Sequence, residues 1–87
     1  MLYRITGIIT LFLTFFLYAE TIEWKRIESK IQIKDYKKAT LLLDIALDKL
    51  EHPPFIYYKL RGDTELGLGR IDSAIENYKE SVKINKE

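Results

Sequence analysis

Cysteine is missing from this 87-residue chain. Its absence excludes disulfides, thiolate metal sites, thiol nucleophiles and a lipid-bearing cysteine. Histidine is almost missing too. The one histidine, His52, sits in His52-Pro53-Pro54, the stretch that holds both prolines. A general base or a metal site needs partners close by, and only Glu51 is adjacent, so His52 reads as a solvated loop residue. A Ser-His-Asp set cannot be assembled around it. Charge of one sign is also lacking. The formal net charge is +1; Arg4 is the one charge in the first 19 residues, which leaves thirteen of each sign for the rest. Such a surface gives no electrostatic reason to expect nucleic acid as a partner. Gly67-x-Gly69 lacks the third glycine, the preceding strand and the lysine of a phosphate loop. Asp44 and Asp48, one turn apart, read as a solvated helix face rather than a cation pair. No cofactor, no metal and no catalytic residue is expected, and the chain is not read as an enzyme.

What is present begins with an apolar segment. Met1-Leu-Tyr-Arg4 is a short basic start, Ile5 to Ala19 carries no charge, and Tyr18-Ala19-Glu20 places a small residue before a charged stretch. This is the layout of a secretory signal, with cleavage expected after Ala19. Leu17 stands where a second small residue is preferred. The alternative is an uncleaved N-terminal membrane anchor. As helix the uncharged run reaches roughly 22 Å, short against a hydrocarbon core of about 30 Å. Both readings place the body outside the cytoplasm, in the periplasm or cell envelope, or at the membrane.

From residue 20 onward the spacing predicts an all-α body of two helical hairpins, over 22–51 and 54–86. A first helix is expected from Ile22 to Lys34, with Trp24, Ile27 and Ile31 at helical spacing. The second is expected from Asp35, a natural N-cap, to Glu51. Its stripe of Tyr36, Ala39, Leu43, Ala46 and Leu50 is the strongest local signal. Pro53 ends it, and Pro54 suits the first turn of a third helix running to Leu66. Gly67-Leu68-Gly69 closes that helix. The fourth is expected from Ile71 to Asn85, with Ile71, Ala74, Ile75, Tyr78 and Val82 on one face. Ala39 and Ala74 lie 35 residues apart. In that register Tyr36 meets Ile71, Leu43 meets Tyr78 and Leu47 meets Val82.

On these residues the second hairpin resembles the tetratricopeptide repeat, whose period is about 34 residues. Tyr58 takes the place of the family's aromatic, Arg61-Gly62 that of its Leu-Gly, Gly69 fits the turn, and Ile71-Asp-Ser-Ala-Ile-Glu-Asn-Tyr78 fits the second repeat helix. Gly62 and Ala74 are expected to be small because two helices cross closely there, with Tyr58 and Tyr78 filling the space beside the crossing. Three positions depart from the pattern: Glu65 where an aromatic is usual, Ser81 where alanine is usual, and Lys86 where proline is usual. In the first hairpin Asp35 to Ala39 and Ala46 match. Glu28, however, stands near the place of the glycine, and Trp24 lies one residue closer to Ala39 than Tyr58 does to Ala74, so either the turn at Lys34-Asp35 is shortened or the first helix is rotated.

The resemblance implies a fragment of a right-handed solenoid whose work is binding a protein or peptide. The first helix of each unit would line the binding face, giving Ile56, Lys59 and Asp63 on the third helix, and Trp24 and Glu28 on the first, as partner-binding candidates. The plainer reading of Lys59 and Asp63 is a surface i,i+4 ion pair. Arg61-Gly62-Asp63 spells an adhesive tripeptide but falls inside a helix. Repeat arrays bury each unit on the next, so an uncovered apolar strip at Ile71, Ile75, Tyr78 or Val82 is expected. A partner, a second copy or the N-terminal segment would cover it. A homo-oligomer or membrane-tethered structural subunit is the alternative function. A further one is that the chain opens a longer repeat protein.

Overall fold

The structure, a computed structural model, describes residues 23–86. The apolar N-terminal segment and its expected cleavage point lie outside the described residues. Within them the chain is all helical, without a strand. Helix α1 covers residues 23–32, α2 Tyr36–Lys49, α3 Phe55–Gly67 and α4 Ile71–Lys86. Pro54 is the N-cap of α3 rather than its first helical residue, and its carbonyl accepts from the Tyr57 amide at 3.1 Å.

The two hairpins turn in the same way. At the end of α1 the Lys34 amide donates to the Ile31 carbonyl at 2.9 Å, and the Asp35 amide donates to the Lys30 carbonyl at 2.9 Å. At the end of α3 the Gly69 amide donates to Leu66 at 3.0 Å and the Arg70 amide to Glu65 at 2.8 Å. Each is a Schellman closure, which needs a left-handed residue just past the helix. Gly69 supplies it at φ 79°, and Lys34 adopts it at φ 62° despite its side chain. Asp35 then caps α2, its Oδ1 accepting from the Lys38 amide at 3.3 Å. The turns therefore recur at the 35-residue spacing of Ala39 and Ala74. Of the two explanations for the mismatch in the first hairpin, a shortened turn is excluded.

That register puts Ile27, not Glu28, in the place of Gly62. Ile27 is fully buried and belongs to one cluster with Ala39, Leu43, Ala46, Tyr57 and Leu60. In the second hairpin Gly62 is buried under Tyr78, and a Cβ added there would sit 2.6 Å from Tyr78 Cε1. The two crossings fill their space differently. The first uses two medium side chains, Ile27 and Leu43, where the second uses glycine and tyrosine. Close packing makes the two solutions exchangeable only as pairs. A third close approach joins the hairpins: a Cβ added to Gly67 at the end of α3 would fall on the ring of Tyr36 at the start of α2.

Two departures from the repeat pattern have local reasons. Ser81 is buried between α3 and α4, and its hydroxyl donates to the Phe55 carbonyl at 3.0 Å, so the polar group is satisfied across the interface. Glu65 is buried as well and meets the Arg70 guanidinium at 3.5 Å. Thr64 is buried with its hydroxyl on the Leu60 carbonyl at 2.8 Å.

Replacing Lys34 by glycine should stabilise the fold by about 1 kcal/mol, because it removes the left-handed penalty. Gly69→Ala should destabilise it by a similar amount. Denaturant unfolding of the full-length chain reads both, and equal signs would contradict the shared turn. Gly62→Ile should cost about 3 kcal/mol or more by overpacking against Tyr78. Adding Tyr78→Leu, which copies the first crossing, should recover much of that loss. Strict additivity of the two changes would show that the crossings are not equivalent.

Candidate functional site

The five residues expected to face a ligand fall into three groups. Trp24 and Ile56 are half-buried and pack against the core cluster of α1, α2 and α3. Ile56 was expected to line the binding face as a partner-binding candidate. That expectation is corrected: Ile56 contributes to the core and offers only its remaining surface. The Lys25 ammonium lies 5.8 Å from the centre of the Trp24 ring, within cation–π range. Glu28 is half-buried on α1.

Lys59 and Asp63 form the third group. They make the expected ion pair, at 3.5 Å, with Lys59 the more exposed partner. Asp63 has a second engagement that its spacing did not reveal. The Tyr78 hydroxyl donates to its Oδ1 at 2.5 Å. One carboxylate thus holds Lys59 on its own helix and Tyr78 on the next. Burial, then the hydrogen bond to Asp63 and the Asp63 charge, push the Tyr78 hydroxyl from its ordinary 10 up to about 12. Asp63 therefore orients the ring that covers Gly62, as well as presenting a charge.

The residues around this pair are equally committed. Arg61 reaches back to α2 and meets Asp44 Oδ1 at 2.7 Å. Asp44, read from the sequence as a solvated residue, is a tie between hairpins. With Gly62 under Tyr78 and Asp63 bonded to it, the tripeptide Arg61-Gly62-Asp63 is engaged at all three positions inside α3. The buried aromatic of α3 is Tyr57, 1% exposed, which the repeat pattern did not single out. Its neighbour Tyr58 is half-buried and lines a shallow groove with His52, Glu80 and Ile84. His52 is exposed at the rim of that groove. Among the described residues no three His, Asp or Glu side chains gather where they could hold a metal.

The apolar strip of α4 is exposed at three of its four positions: Ile71 at 60%, Ile75 at 44% and Val82 at 54%. Tyr78 is half-buried, and together with Ile75, Lys79 and Val82 it lines an open apolar groove. No helix among the described residues is long and apolar enough to cross a membrane.

Ionising Tyr78 should cost stability, since its raised value means the fold favours the neutral phenol. That contribution is complete below about pH 10 and is lost as the pH rises through about 12. Tyr78→Phe should flatten this part of the pH–stability curve and lower stability near neutrality by about 1 kcal/mol. Matched unfolding titrations of the two proteins check it, and parallel curves from pH 9 to 12 would count against the Asp63–Tyr78 bond.

No protein-family model, no curated protein and no solved structure matches this chain.

Proposed function

We propose that this protein is a non-catalytic module of tetratricopeptide type that binds a protein or peptide outside the cytoplasm. Residues 1–19 would serve as its export signal or its membrane tether. The observation that carries the reading is the recurrence at 35 residues. The same left-handed closure at Lys34 and Gly69 is followed by the same buried alanine at 39 and 74. A unit repeated in this way makes consecutive first helices into one continuous surface. Here α1 and α3 share a core, with Trp24 and Ile56 packed against it, and the same two helices carry Glu28, Lys59 and Asp63. An aromatic ring beside a cation, together with an exposed lysine and an oriented carboxylate, suits a peptide segment with both apolar and charged side chains. The exposed strip of α4 favours a second reading, a self-associating structural subunit.

A photo-crosslinking residue at Lys59 should capture one defined protein in the cell of origin, and the same residue at Lys37 on α2 should not. Lys59→Glu should lower the captured yield at a neighbouring probe position several-fold. Equal capture at both positions, or none at Lys59, would defeat the proposal. N-terminal sequencing of the natural protein should begin at Glu20 if the segment is a cleaved signal, whereas a retained Met1 would mean a tether.

A further inference from the structure

The strip on α4 occupies the positions that α2 uses to receive α3. Tyr36, Leu43 and Leu47 of α2, which meet Ile71, Tyr78 and Val82 of α4 in the 35-residue register, are buried or half-buried; Tyr36 packs on Gly67, and Leu47 on the core cluster. A second copy could in principle seat its α1 there, as α3 seats on α2. Its charges oppose that. The α2–α3 contact is tied by Arg61 to Asp44. In the same register a second copy would bring Arg26 against Lys79, two like charges. Lys25 would take the place of Leu60, which is buried at 1% exposure. The exposed α1 residues Lys25, Arg26, Ser29 and Gln32 thus form a polar end that does not match the α4 strip.

The strip does match itself. Beside Ile71, Ile75, Tyr78 and Val82, one position further round the helix, run Asp72, Glu76, Lys79 and Lys83, with Lys86 a turn beyond. This flank is acidic in the first half of α4 and basic in the second. In two parallel copies with the strips facing, the two charged flanks would lie on opposite sides of the pair and would not meet. Two antiparallel copies set Asp72 and Glu76 of one against Lys79 and Lys83 of the other. Ile71 then lies across from Val82 of the second copy, and Ile75 across from Tyr78. The alternating spacing of the strip, in steps of four, three and four, is that of an antiparallel helix seam. We propose that the α4 face pairs with the α4 face of a second copy in antiparallel, two-fold symmetric register. A two-fold contact closes on itself and stops at the dimer. Pairing of two copies is concentration-dependent by mass action.

The absence of cysteine makes the geometry testable in the full-length chain. Ile71→Cys and Val82→Cys are made separately, each with a different tag, in neutral detergent. Both positions are exposed, so neither change disturbs the core. A disulfide needs Cα atoms within about 7 Å. On mild oxidation the mixture should give the mixed disulfide, several-fold above any disulfide from either variant alone. Disulfides formed equally well by each variant alone would mean parallel or random contact and would overturn the proposal. So would the absence of any disulfide in the mixture at millimolar chain concentration. The result is independent of what the α1–α3 face binds, so failure here leaves that reading standing.

Discussion

The ring of Tyr78 occupies the space that a side chain at residue 62 would need. Much of the second hairpin follows from this exclusion. Glycine at 62 lets α3 and α4 approach closely enough for Ala74 and Ser81 to be buried between them. The Ser81 hydroxyl then reaches the Phe55 carbonyl, and the Tyr78 hydroxyl reaches Asp63. The polar groups at this interface are thus tied across it, which makes the crossing angle specific as well as favourable. The ring could not stay over residue 62 without the small residue beneath it. Asp63 in turn holds the ring in place and binds Lys59 on the side expected to meet a ligand.

The first hairpin reaches the same topology by another distribution of volume. Ile27 and Leu43 share the space that glycine and tyrosine share in the second. What the hairpins hold in common is backbone geometry: the Schellman turn, the left-handed residue that closes it, and the alanine four residues into the next helix. A pattern written in side chains is therefore strong in one unit and faint in the other, although the turns coincide. The faintness at Glu28 comes from comparing the wrong residue. The position equivalent to Gly62 is Ile27, and the alignment becomes visible once the turns at Lys34 and Gly69 are superposed in register.

These features bear on function through what is committed and what is left over. Arg61, Gly62 and Asp63 are occupied within the fold, and Trp24 and Ile56 are partly so. A ligand on the α1–α3 side would meet the exposed edges of a core, with the exposed Lys59 ammonium held by Asp63. The α4 side is different. Its apolar residues have no counterpart among the described elements, and its charges are ordered along the helix axis. The two partners proposed for these surfaces differ accordingly, a segment of mixed character for the first and a helix of opposite charge order for the second.

The helices themselves were legible in the sequence. Periodicity placed the bounds of α2, α3 and α4, and the end of α1, within two residues, Asp35 was readable as a cap, Pro53 and Gly69 as stops, and the strip on α4 as uncovered. These depend on local rules, namely the 3.6-residue repeat, the missing amide of proline and the conformational freedom of glycine, so a single strand of text carries them. The candidate site was legible only in outline. The Lys59–Asp63 pair could be read because four residues make one helical turn. The bonds from Arg61 to Asp44 and from Tyr78 to Asp63, the burial of Tyr57 and Glu65, and the exchange of Ile27 for Gly62 could not. Each of these joins residues on different helices or depends on how one helix is rotated against another. Rotation is set by how the side chains of both helices fill one shared volume, and that is decided only when the elements have packed.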